Sequence, residues 1–176
     1  MAAGSFRLCH SRKDWAFLTA AMGFTLVSDF FLVITHDYRF GVFTFCFAHM
    51  AYILRVSDDK VMSLMRIGAA MIGGGLVFIV VRPDPLIVFA VVYAALFVQN
   101  FFGHIKYYRN GILPIVNRRL MLAGIILFAL CDIHVLMLNL PHFLPVPPEI
   151  GLWGGMWIWM FYAPSQILLS ISAVRW

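Results

Sequence analysis

Three ionisable residues stand where the surrounding sequence is otherwise apolar: Asp29 in TLVSDFFLV, His49 in FCFAHMAYIL and Asp132 in ILFALCDIHVL. A charged side chain in hydrocarbon costs about 2.5–3.5 kcal/mol on insertion scales, so a chain keeps one where a cavity or a partner compensates. Two carboxyl groups in a low dielectric cannot both ionise cheaply, which suits one to act as an acid and the other as a base. The chemistry these residues predict is acid–base hydrolysis. Patterns for other hydrolases are absent: the sequence has no G-x-S-x-G, no H-E-x-x-H and no C-x-x-C. Asp29, His49 and Asp132 could also ligate a metal as one histidine and two carboxylates. No pattern of supporting carboxylates accompanies that triad, so neither a metal nor another cofactor is expected.

Helical spacing gives these residues company, since positions i, i+3, i+4 and i+7 share a face. His49 pairs with Tyr52; Tyr93, Phe97, Asn100 and His104 make one stripe, and Trp159, Tyr162, Gln166 and Ser170 another. Asp132 shares its face with Asn139 but not with His134. Counted from the outer ends of their apolar runs, Asp29 lies six residues in, Asp132 eight, His49 nine, Tyr93 about seven and Tyr162 about ten. At roughly 1.5 Å per residue that predicts one polar layer in the outer half of a membrane. A packing role is the alternative for each residue: polar side chains also hydrogen-bond between helices and hold them together.

The elements that must position these residues follow from composition. Of 176 residues, 62% are hydrophobic, 16% aromatic and 12% charged, with a mean hydropathy of +0.89. Soluble domains carry about 25% charged residues, so the solvent is mainly lipid. A nucleic-acid-binding domain and a disulfide scaffold are excluded on the same ground, the cysteines being only Cys9, Cys46 and Cys131. Six apolar stretches approach the roughly 20 residues needed for a helical span: 15–35, 40–55, 62–81, 86–103, 120–140 and 152–174. The predicted fold is an all-α polytopic membrane bundle of about six transmembrane helices forming a single domain, 1–176. Arg7, Arg12 and Lys13 precede the first stretch without a long apolar run, so no cleavable signal peptide is expected. If the N-terminus is cytoplasmic, eleven of the thirteen Lys and Arg lie on that side and only Arg39 and Arg82 on the other. Short loops obey the positive-inside bias, which predicts both termini cytoplasmic. The longest polar stretch, 106–119, reads as a cytoplasmic loop, and the proline-rich 141–149 as a non-helical one. Gly68, Gly73, Gly74, Gly75, Gly151, Gly154 and Gly155 read as sites of close helix packing rather than a cofactor loop.

Several blocks carry a resemblance: SDFFL (28–32); Gly41, Phe45, His49 and Tyr52 spaced G-x-x-x-F-x-x-x-H-x-x-Y, with Tyr38 where a Phe is usual; LFALCD (127–132); and YAPSQILL (162–169). From Trp15 onward the chain resembles the YhhN-like lysoplasmalogenase family. That family generally has Gly-Asp and Ser-Asp where this chain has Ser28-Asp29 and Cys131-Asp132. Its members usually carry two further N-terminal helices, so a short branch, or a wall completed by a partner or homodimer, is expected. The resemblance implies hydrolysis of the sn-1 vinyl-ether bond of a lysophospholipid, lysoplasmalogen. The products are a fatty aldehyde and a glycerophospho-alcohol. Asp29 and Asp132 would be acid and base, while His49, Tyr52, Tyr93, Asn100, Tyr162 and Gln166 would orient water and the glycerol end. The competing readings are a proton-coupled carrier of small solutes or lipids using the same aspartates, and an inactive lipid binder. Expected partners are the lysophospholipid and the bilayer, with no nucleic acid; the expected location is a bacterial cytoplasmic membrane, or alternatively the endoplasmic reticulum.

Overall fold

The computed structural model describes residues 11–142 and 145–174. The described chain is all-helical without strands. Its helices are α1 (Arg12–Asp29), continued as a π-helix (Phe30–Ile34), α2 (Tyr38–Val56), α3 (Lys60–Val81), α4 (Pro85–Asn110), α5 (Ile115–Asn139) and α6 (Pro148–Ile171), with a 3₁₀ turn at Leu140–His142. Each overlaps one of the six apolar stretches. Four are long and apolar enough to cross a membrane: α1 with its π extension, α3, α4 and α5. A helix meets every internal backbone hydrogen-bonding group within its own segment, which an apolar medium demands. Acidic residues start three of them, with Asp37 accepting from Phe40 N at 3.2 Å, Asp59 from Met62 N at 3.0 Å and Asp84 from Leu86 N at 2.8 Å. Such caps satisfy amides that a first helical turn leaves open. Pro85 and Pro148 stand in first turns, where a missing N–H costs nothing.

Two loops are shorter than predicted. The stretch 106–119 is mostly helix, because α4 runs to Asn110 and α5 begins at Ile115. Lys, Arg and Tyr are tolerated in helices, so polarity there marks the end of the apolar zone rather than of the helix. The stretch 141–149 is also partly helical, since the 3₁₀ turn takes Pro141 and His142 and α6 takes Pro148 and Glu149.

The helices form two compact units, residues 11–111 and 112–174. In the first, α2 is central: α1 and α4 pack on it, and α3 packs mainly on α4. Its core includes Cys46, Ile53, Ile67, Val92 and Leu96. One end of this unit carries the ion pairs Arg55–Asp14 (2.8 Å) and Lys106–Asp58 (3.1 Å), the other Arg39–Asp84 (2.9 Å). Asp84 is held below the ordinary carboxylate range by the Leu86 N–H it accepts and, secondarily, by Arg39. The second unit is an antiparallel pair, α5 against α6. Asn117 ties its end by donating to the carbonyls of Ser172 and Val174, each at 2.7 Å.

Close packing at glycine holds in part. A Cβ on Gly154 would stand 2.6 Å from Leu138 N and 2.7 Å from the His134 carbonyl, one on Gly151 3.2 Å from the Leu138 carbonyl, and one on Gly74 2.3 Å from the Val92 side chain. Gly155 makes only ordinary contact. Gly68, Gly73 and Gly75 meet nothing within 4 Å, so these three do not hold helices together. The sequence offers no distinction between them and Gly74, because only the azimuth of α3 against α4 decides which glycine is covered.

Candidate functional site

Asp29 is the last α-helical residue of α1 and is half-buried. Beyond it the backbone widens into the π-helix, with Thr35 N donating to the Phe30 carbonyl at 3.2 Å. The preceding Ser28 is fully buried and donates to the Gly41 carbonyl at 2.7 Å, fastening this turn to α2. A Cβ at Gly41 would lie 2.4 Å from Leu32 Cδ2, so glycine lets Leu32 sit against this turn without shifting its side chain.

His49 is fully buried in an aromatic cage, with ring centroids 4.9 Å from Tyr93, 5.3 Å from Phe97 and 5.9 Å from Phe45. Its Nδ1 lies 3.0 Å from Asn100 Nδ2. An amide N–H can only donate, so Nδ1 accepts and the imidazole proton sits on Nε2. Asn100 is fully buried, and its carbonyl receives His104 Nδ1 at 2.9 Å. Tyr52 is also fully buried; its ring centroid is 6.3 Å from that of His104, and its hydroxyl donates to Met22 Sδ at 3.3 Å. The stripe predicted on this helix therefore faces the interior, and His49, Tyr52, Tyr93 and Asn100 come together.

The shared layer does not extend to Asp29. The rungs Asp14–Arg55, Phe24–Phe47 and Ser28–Gly41 between α1 and α2 set the antiparallel register. His49 lies eight residues beyond Gly41, about 12 Å along the axis at 1.5 Å per residue. Counting from loop ends misses this offset, because α2 begins two residues before the apolar stretch and the wider π turn has a smaller rise per residue, which shortens the α1 end.

In the second unit Asp132 is half-buried on α5, next to buried Cys131. His134 donates to the Leu130 carbonyl at 2.7 Å and lies against Phe161, its ring centroid 5.0 Å away. Tyr162 on α6 packs against Phe128 and Trp159, at 6.1 and 5.7 Å between ring centroids. Pro164 interrupts the α6 ladder, and the buried Ser165 hydroxyl donates to the Tyr162 carbonyl at 2.7 Å. Gln166 Nε2 reaches Ser165 Oγ at 3.4 Å, while its backbone carbonyl accepts from the Ser170 hydroxyl at 2.6 Å. Asp29, His49, Tyr52, Tyr93 and Asn100 thus belong to one unit, and Asp132, Tyr162 and Gln166 to the other.

Sequence reasoning passed over three features. The Arg55–Asp14 pair is bidentate, at 2.8 and 3.0 Å, with the Arg55 side chain wholly buried; in the sequence Arg55 counts only among the basic residues that set topology. His104 stood in the predicted stripe, and its i, i+4 spacing from Asn100 was the available signal. The π turn has no signature in residue type. An apolar cavity of about 250 Å³ lies among α2, α3 and α4, lined by Phe43, Cys46, Phe78, Val88 and Phe89 among others. Among the described residues no three His, Cys, Asp or Glu side chains are placed to share a metal ion.

The chain matches the YhhN family over residues 2–173. No curated protein and no solved structure matches it. The chain belongs to the YhhN family.

Proposed function

We propose that this YhhN-family chain is a membrane-embedded ether hydrolase that cleaves the vinyl-ether bond of lysoplasmalogen. The observation that carries the reading is Asp29: a half-buried carboxyl where a helix long and apolar enough to cross a membrane passes from α to π. A functional site commonly adjoins such a π turn. Asp132 supplies the second carboxyl, on a helix of the same kind.

The reaction asks for these two groups. A protonated carboxyl delivers its proton to the vinyl carbon remote from oxygen, and the adjoining carbon becomes an oxocarbenium ion. The carboxylate takes a proton from water as the water oxygen bonds to that carbon, giving a hemiacetal. Collapse breaks the bond between that carbon and the glycerol oxygen, which leaves with a proton as the free alcohol. One water is consumed, and a fatty aldehyde and a glycerophospho-alcohol are released. Tyr162 and Gln166 beside Asp132's helix suit the glycerol end. His49, Tyr52, Tyr93 and Asn100, about two turns deeper than Asp29, suit the holding of water inside the unit on its way to the carboxyl rather than its orientation for attack.

Purified full chain in detergent with lysoplasmalogen is expected to release fatty aldehyde without added metal. Ion flux in liposomes with no aldehyde would favour a carrier instead.

A further inference from the structure

Hydrolysis among helices whose medium is hydrocarbon needs a place that keeps water. Asn100 and His104 stand one turn apart on α4, 0% and 2% exposed. Because His104 Nδ1 donates to the Asn100 backbone carbonyl, Nε2 of the neutral ring is an acceptor. That nitrogen has no hydrogen-bond partner among the described residues, nor has Asn100 Oδ1, whose amide nitrogen is committed to His49. A buried acceptor left unmet costs about 1–3 kcal/mol. Side chains four apart on a helix are neighbours, about 5–6 Å apart at Cβ, and one water molecule has the two protons that two such acceptors need. Buried waters take such polar partners, commonly two to four.

We infer that Asn100 Oδ1 and His104 Nε2 hold a buried water molecule, and that this site is a station on the path by which water reaches His49. Gly103 lies against Val56, a Cβ there standing 3.2 Å from Val56 Cγ2, which sets His104 level with the end of α2 where Arg55 meets Asp14. Asn100 extends one turn from there to His49. The three side chains make a polar file from the ion-paired end of the unit into its aromatic cage, flanked by Tyr52. Asn100 and His104 are positioning residues here, acting on water rather than on the lipid. The role assigned to this water rests on the hydrolytic reading; the site itself rests on two buried, unmet acceptors one helical turn apart.

A structure of the full chain in lipid, at a resolution that shows ordered water, is expected to contain one within hydrogen-bond distance of both atoms. A dry pair, or either atom turned onto a protein group, overturns the site. Kinetics then test its role. His104→Phe, which removes the acceptor, is expected to lower kcat about 10²-fold with KM unchanged, and His104→Gln, which carries an acceptor to the reach of Nε2, to recover most of that loss. A His104→Phe chain as fast as wild type overturns the supply role, as does a loss expressed in KM alone. If His104→Phe does not fold, His104→Gln decides: a loss as complete as inactivation overturns the role, and a partial loss in kcat alone supports it. If the wild-type chain releases no aldehyde, the hydrolytic reading fails and the ordered water alone decides the site.

Discussion

At the scale of single residues, the two aspartates were the most legible part of the sequence, because an acidic side chain flanked by apolar residues has no bland surface explanation. Asp29→Asn and Asp132→Asn keep shape and most hydrogen bonds but can neither give nor take an acidic proton. Each is expected to cost about 10²–10⁴ in kcat, the usual worth of a general acid or base, while the chain stays folded by circular dichroism. Full aldehyde release by either variant would remove that residue from the mechanism. His49→Gln is expected to be milder. It alters one hydrogen bond, to Asn100, worth about 0.5–1.5 kcal/mol, or roughly a tenfold change in rate; a loss matching the aspartate variants would mean that His49 acts on the substrate directly. The depth difference between His49 and Asp29 was not legible. Counting from loop ends assumes regular α-helix throughout, and the π-helix after Asp29 breaks that assumption without changing any residue type.

At the scale of elements, hydrophobic runs located all six helices, but their ends were set by chemistry that hydropathy does not register. Asp37, Asp59 and Asp84 cap helices, and hydropathy registers them only as charge. Glycines separate in the same way, and a substitution series measures the difference. Gly154→Ala drives a methyl onto the backbone of α5, which cannot step aside. Overpacking of this kind costs about 1–3 kcal/mol, and the upper part of that range is expected. Gly41→Ala meets only the flexible end of Leu32 and is expected to cost less. Gly75→Ala meets nothing, and the helix preference of Ala over Gly, about 0.5–1 kcal/mol, is expected to leave it neutral or stabilised. Unfolding in mixed detergent ranks the three, and equal losses at 154 and 75 would refute the packing assignment.

At the scale of the whole molecule, the remaining inference is orientation. Within residues 11–111 the ion pairs settle which ends face alike: Asp14, Arg55, Asp58 and Lys106 stand at one, Arg39 and Asp84 at the other. Four residues, 111–114, separate α4 from α5, and Lys106 and Arg109 stand in the last turns of α4, at the Asp14–Arg55 end of the first unit. Basic residues of this unit accumulate at one end, and the positive-inside bias predicts that this end is cytoplasmic. The bias counts Lys and Arg rather than net charge, so the ion-paired Arg55 and Lys106 count alongside the exposed Arg12, Arg66 and Arg109. In cells expressing a chain with Cys9, Cys46 and Cys131 replaced, Thr35→Cys is expected to react with a membrane-impermeant maleimide and Asn110→Cys only after lysis. The reverse pattern would invert the molecule and put the water path of His104 on the outer side. Labelling of both in intact cells would mean that residues 35 and 110 do not lie on opposite sides of a membrane at all, and the span assignment of this unit would fail with the orientation.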